Sequence, residues 1–305
     1  MQIKTVSIVG LGALGVLFGS LLAEHLPKSA LRIVADKSRI EKYRRDGIYC
    51  NGGLCDFNYI CADEDLEPCD LLLMAVKFGD LPAAIEASNN QVGPDTIILS
   101  LLNGISSEGL IGAAFGTEKL LPCVAQGMDA VKVGNALTYH NTGMICFGSA
   151  VPYAANEKAE AVGRFFEAVH LPHELVADMP KRLWGKFMLN VGVNQTAAVY
   201  ECDYGGLQKP GPIRDTMVAA MEEALALSEK EAIGLTHADI DYWLRILDGL
   251  NPGGKPSMRQ DLEAKRHSEV GLFAGTVLAM GAKHGLSFPV NQMLYDKITA
   301  IERAF

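Results

Sequence analysis

A short apolar run, Ile3–Val9, leads into Gly10-Leu11-Gly12-Ala13-Leu14-Gly15 and then into a stretch of helical character ending near His25. This order of elements leaves few choices of fold. A buried strand that turns through glycines into a helix belongs in a parallel sheet covered on both faces. Gly10 permits the tight turn, Gly12 lets a ligand approach the backbone, and Gly15 lets the helix pack closely on the strand. The helix then presents unpaired N–H groups, which attract phosphate. A second strand, Leu31–Ala35, follows and ends at Asp36, 21 positions after Gly15. That spacing turns a weak glycine motif into a dinucleotide-site pattern; the plainer alternative is a glycine-rich turn with no ligand. The absence of charge from Thr5 to Ala23 imitates a signal peptide or a membrane span. The glycines, the lone Lys4 before the run and the lack of a small-residue cleavage site argue against both, so the expected location is cytoplasmic.

Two further apolar runs, Cys69–Val76 and Thr96–Leu102, have the continuous character of buried parallel strands. Lys77 follows one and Asn103-Gly104 the other, both at the sheet edge where ligands gather. Each also has a plainer reading, as a solvated lysine or as an ordinary turn. Asn51-Gly52-Gly53 predicts a hairpin, and Ala136–His140 and Met144–Phe147 predict two more strands. After about Pro172 strands disappear. Helices are expected at Lys181–Val199, Pro212–Ile233, His237–Leu250, one long helix from Ser257 to His284, and another from Pro289. The fold class is therefore α/β: an N-terminal Rossmann dinucleotide-binding domain, residues 1–175, then an all-α domain, residues 176–305.

Composition narrows the function classes. The chain has 305 residues, 49% hydrophobic, and a net charge of −9. Nucleic acid and anionic membranes both need a basic surface, so neither is an expected partner. A local basic pocket for a small anion stays open. The seven cysteines are odd in number, and the four between Cys50 and Cys69 fit no zinc spacing, so no metal site is expected.

The helical half carries the chemistry. In Leu183–Ala198, Lys186, Asn190 and Asn194 recur at steps of four in an otherwise apolar run. Four residues advance a helix by about 400°, so the row stays on one face. A buried ammonium needs partners or it loses its charge; otherwise the row faces water. A second row, Ser257, Asp261 and Glu269, lies in Ser257–Glu269. Asp261 suits a surface pair with Lys265. Glu269 opens an apolar run without another charge until Lys283 and so calls for a cationic partner, which a lysine on a facing helix would supply.

Together these motifs resemble the ketopantoate reductase (2-dehydropantoate 2-reductase) family, along nearly the whole chain. The resemblance is carried by Gly10–Gly15, by Ala75-Val76-Lys77, by Leu101–Gly104, by W-x-K-x-x-x-N-x-x-x-N from Trp184 to Asn194, and by S-M-x-x-D from Ser257 followed by Arg266–Glu269. It implies a second domain of the 6-phosphogluconate-dehydrogenase C-terminal type and an NADPH-dependent reduction of ketopantoate to pantoate. It implies Lys186 as general acid with Glu269 in support, and Asn190, Asn194 and Ser257 on the substrate. It implies cofactor contacts from Gly10, Leu11, Gly12, Ala13, Leu14, Gly15, Lys77, Asn103 and Ala130. Two positions depart from the family pattern. Asp36 stands where arginine is more usual, and an acid there favours NAD over NADP, although Lys37 and Arg39 follow at once. Tyr204 stands where a further substrate asparagine is usual, which admits a different small 2-keto acid. A non-catalytic dinucleotide sensor is a further alternative, and the final helices admit a homodimer.

Overall fold

The computed structural model describes residues 2–305. The chain divides into two compact units: Met1–Leu102 with Ser107–Pro180, and Asn103–Ser106 with Lys181–Phe305.

The first unit is built on a five-stranded parallel sheet in the order Tyr59–Cys61, Leu31–Ala35, Val6–Val9, Leu71–Met74, Ile97–Ser100. Val6–Val9, Leu71–Met74 and Ile97–Ser100 are buried at every position, as strands covered on both faces must be. The strand order reverses around Val6–Val9, the first strand, and at such a switch point the glycine loop leaves the carboxyl end. Two smaller sheets complete the unit. One joins Gly53–Leu54, Tyr49–Cys50, Ala136–Thr138 and Val131–Val133; the other joins His173–Leu175, Thr142–Phe147 and Cys123–Met128. The predicted hairpin forms, with Cys50 opposite Gly53 across the Asn51-Gly52 turn. The strands either side of Asn141 fall in separate sheets, and His173–Leu175 extends strand structure past Pro172.

The second unit is helical. Met179–Val199 packs with Pro212–Lys230, His237–Asp248 and Pro289–Glu302 around a core that includes Phe187, Met188, Met217, Met221, Trp243 and Phe273. Two glycines let the polar-row helix sit close to its neighbours. A Cβ at Gly185 would lie 2.4 Å from Trp243 Nε1, and one at Gly192 would lie 2.8 Å from the Met217 carbonyl oxygen.

The long helix expected from Ser257 to His284 is broken. Ser257–Glu263 ends at Ala264, a π turn spans Gly271–Gly275, and an α-helix resumes at Thr276–Lys283. The first break is a left-handed cap made without glycine. Lys265 has φ +52°, and the Arg266 N–H reaches back to the Asp261 carbonyl at 2.9 Å. Asp261 is buried and takes Arg266 Nε at 2.8 Å, where the sequence suggested Lys265. The helices Ser107–Phe115 and Tyr204–Gln208 were not anticipated either.

Candidate active site

The glycine loop has the geometry its spacing implies. Gly10 is left-handed at φ +96°, and a Cβ there would fall 2.6 Å from the Ala75 carbonyl oxygen. A Cβ on Gly15 would fall 1.9 Å from the Gly10 carbonyl oxygen. Gly12 differs. It caps the helix Ala13–Ala23, no side chain takes the cap position, and a Cβ there would make only an ordinary 3.5 Å contact with Ala75 O. The protein interior does not require glycine at Gly12, so the open space beside it suits a phosphate group at the helix N-terminus. Leu11 is buried, while Ala13 and Leu14 pack on the core of this unit.

Asp36 stands at the end of the second strand as the N-cap of the helix Lys37–Asp46. Its Oδ1 accepts from Ser38 Oγ and from the Arg39 N–H, and Arg39 Nε lies 3.3 Å from Oδ2. The hydrogen bond from Ser38, then that from Arg39, holds the carboxyl below the usual carboxylate range, so it is charged near neutrality. A cavity of about 390 Å³ opens here, lined by Gly10, Leu11, Asp36, Arg39, Tyr43, Ala62 and Val76 among others. The donor set fits a dinucleotide: an uncapped helix end beside a close-approach glycine, then a carboxylate one strand away. Lys77 is exposed just beyond Leu71–Met74. Ala130 lies between Cys123–Met128 and Val131–Val133 and packs on the main core.

In the helical unit each member of the polar row is hydrogen-bonded. Lys186 Nζ donates to Asn103 Oδ1 at 3.4 Å. Asn194 Nδ2 donates to Asn190 Oδ1 at 3.2 Å. Asn194 Oδ1 accepts from Ser257 Oγ at 3.1 Å and from the Met258 N–H at 3.4 Å. Asn103, predicted from its strand-end position as a cofactor residue, therefore stands with the helical unit and beside the lysine. Gly104 follows at φ +85°, where a Cβ would meet Leu272 at 2.8 Å, which fixes the loop that carries Asn103. The row is neither solvent-facing nor a flaw in the core. It is a strip of hydrogen-bonding groups, half-buried at Lys186 and Asn190 and buried at Asn194, on a helix whose other faces, Phe187, Met188 and Val191, are fully packed.

Glu269 lies two residues before the π turn. Its carbonyl accepts from the Leu272 and Phe273 N–H groups at 2.9 and 3.3 Å. Next to it, Ser268 is held by Glu302 through both its N–H and its hydroxyl. Sequence reasoning did not single out Gln195, Asn291, Glu302 or the π turn. A signal existed at Gln195, a carboxamide one residue beyond the polar row in an apolar stretch.

A nucleotide-loop unit and a helical unit bearing lysine, paired asparagines and a carboxylate define a class, the dinucleotide-dependent oxidoreductases. Within that class the chain belongs to the ketopantoate reductase family. The family description "Ketopantoate reductase PanE/ApbA" matches residues 6–150, and "Ketopantoate reductase PanE/ApbA C terminal" matches residues 178–302. The 2-dehydropantoate 2-reductase of Vibrio cholerae serotype O1 is 25% identical over 238 residues, covering 77% of this chain and 79% of its own. A PanE/ApbA family ketopantoate reductase from Ralstonia eutropha JMP134 superposes with a TM-score of 0.83 at 22% identity, over 98% of this chain and 99% of that one. A D-mandelate dehydrogenase solved with NADH and anilino(oxo)acetate superposes with a TM-score of 0.87 at 18% identity, over 98% of both chains. At these identities the structural likenesses establish the fold.

Proposed function

We propose that this protein reduces the keto group of ketopantoate, with Lys186 as the proton donor and a reduced nicotinamide dinucleotide as the hydride donor. The observation that carries the reading is the pair of hydrogen-bonded groups on the helical unit, Lys186 with Asn103 and Asn194 with Asn190 and Ser257. When bound, the nicotinamide supplies the hydride. The chain's own residues then have separable tasks. The Lys186 ammonium stabilises negative charge growing on the keto oxygen and hands it a proton. Asn103 accepts from that ammonium and so orients it. Glu269 keeps the region electrically balanced for a cation. Asn190, Asn194 and Ser257 offer hydrogen bonds to a hydroxy acid without adding charge. A sensor would have no need to keep all of these groups together.

The family resemblance carries NADPH. One observation favours a second reading, NADH: the charged Asp36 carboxylate at the cavity, with Arg39 already drawn to it. A carboxylate there accepts a ribose 2′-hydroxyl and repels a 2′-phosphate. The expected result for Asp36→Ala is a rise in the NADPH-to-NADH ratio of kcat/KM of about tenfold or more. An unchanged ratio would remove Asp36 from cofactor choice.

Tyr204 favours a different acid. Its N–H donates to the Gly254 carbonyl at 2.9 Å, and a Cβ at Gly254 would meet its ring at 2.9 Å. The ring thus fills the space beside the loop that leads to Ser257, a place where a hydroxylated side chain would want a polar group. Tyr204→Asn is expected to raise kcat/KM for ketopantoate by about tenfold; no gain would return Tyr204 to a packing role. The deciding experiment is a panel of 2-keto acids assayed with NADPH and NADH. Ketopantoate as the best substrate supports the main reading, another acid supports the second, and no oxidation of either cofactor supports the sensor.

A further inference from the structure

Glu269 is the carboxylate that the reductase reading assigns to the helical part of the candidate site, and its backbone leads into an irregular turn. In that turn the Gly275 N–H donates to the Val270 carbonyl at 3.1 Å, a step of five residues. The Ala274 N–H, which a regular helix would have sent to Val270, is released from the ladder. Released N–H groups in a buried place need another acceptor. Gln195 provides it: Ala274 N–H donates to Gln195 Oε1 at 3.1 Å.

Gln195 is itself fixed. Its Nε2 donates to the Val191 carbonyl at 2.7 Å and to Asn291 Oδ1 at 3.1 Å. Asn291 Nδ2 in turn donates to the Ala220 carbonyl and to Glu223 Oε2, and Glu223 accepts the Val290 and Asn291 N–H groups at the start of Pro289–Glu302. Gln195 and Asn291 are both 0% exposed. Every amide atom of Gln195 has a task, and flipping the amide would set its NH₂ against the Ala274 N–H. Such a fully satisfied buried network holds a single arrangement.

We infer that Gln195 is a positioning residue: it holds the π turn open and thereby sets the register of Glu269, the carboxylate that the reductase reading pairs with Lys186. The geometry explains why register is at stake. If the turn relaxed to an α-helix, one residue would be absorbed, and Glu269 would rotate by about 100° relative to Thr276–Lys283. π turns recur at functional sites for this reason. Gln195 also ties two parts of the site to one helix. Asn194 fixes Ser257, and Gln195, the next residue and about 100° round, fixes the turn behind Glu269. The inference rests on the reductase reading for its kinetic consequence and on geometry alone for the turn.

The test combines Gln195→Leu, Glu269→Gln and the double variant with hydrogen exchange of the Ala274 amide in the wild-type protein. Gln195→Leu is expected to lower kcat by about 10²-fold with the dinucleotide Kd unchanged. On the Glu269→Gln background it should lower kcat by no more than about 2-fold, because the two residues act as one unit. Wild-type kcat in Gln195→Leu, or full additivity in the double variant, overturns the inference. If Gln195→Leu does not fold, exchange decides: protection of Ala274 equal to its helical neighbours supports the lock, and exchange as fast as an exposed amide overturns it. A wild-type protein that reduces no 2-keto acid sinks the reductase reading, and the same exchange measurement then decides the turn.

Discussion

Lys186→Ala is expected to lower kcat by about 10²-fold or more while leaving the dinucleotide Kd nearly unchanged. The expectation follows from where the lysine stands. Its ammonium is half-buried on the helix Met179–Val199 and donates to Asn103 Oδ1 within the helical unit, whereas the glycine loop that would hold phosphates belongs to the other unit. Removing it takes away a charge that matters only as the keto oxygen becomes negative, so the loss should fall on turnover. Lys186→Arg separates two parts of the role. Guanidinium keeps the charge but does not give up a proton near neutrality. It should therefore recover substrate KM more than kcat. Near-normal turnover in Lys186→Ala would remove the lysine from the chemistry, and a large change in cofactor Kd would mean that it holds the dinucleotide instead.

The parts of this fold that were legible in the sequence are those in which local chemistry decides conformation. The central strands announced themselves as unbroken apolar runs because they are buried on both faces. The glycine loop was legible because Gly10 and Gly15 meet backbone atoms that no side chain could pass. The row at Lys186, Asn190 and Asn194 followed from helical periodicity alone. What stayed hidden depends on contacts distant in sequence. Nothing between Ser257 and His284 marks the break at Lys265, since the left-handed residue is not glycine. The π turn is set by Gln195, 79 positions from Ala274. Asn103 was placed correctly at a strand end, yet its pairing with Lys186 across 83 positions could not be seen before the chain was folded. Asp36 could be read as an acid after a strand, but its capping of Lys37–Asp46 shows only once that helix is built.

Gly12→Ala and Gly15→Ala, three residues apart in one motif, should fail in different ways, and the difference tests whether the loop is a nucleotide site or merely a turn. Gly15→Ala places a methyl group 1.9 Å from the Gly10 carbonyl oxygen. Gly10 has little room to retreat, because a Cβ built on it would already fall 2.6 Å from both Ala75 O and Val76 Cγ1 and its φ is +96°. The helix Ala13–Ala23 must therefore lift off the sheet, losing contact where Val16, Leu17 and Phe18 are wholly buried. A stability loss of about 3 kcal/mol is expected, together with a dinucleotide Kd weakened by about 10²-fold as the helix end moves. Gly12→Ala meets only an ordinary 3.5 Å contact at an unstrained φ of −68°, so its thermal midpoint should stay close to wild type. If a pyrophosphate lies against that backbone, the added methyl occupies its place, and Kd should weaken by about 10²-fold all the same. Loss of binding without loss of stability at Gly12 is the signature of a ligand, because no protein atom there objects to a methyl group. A Gly12→Ala protein that binds dinucleotide as tightly as wild type would leave the loop a structural turn, and the hydride donor would have to be sought elsewhere.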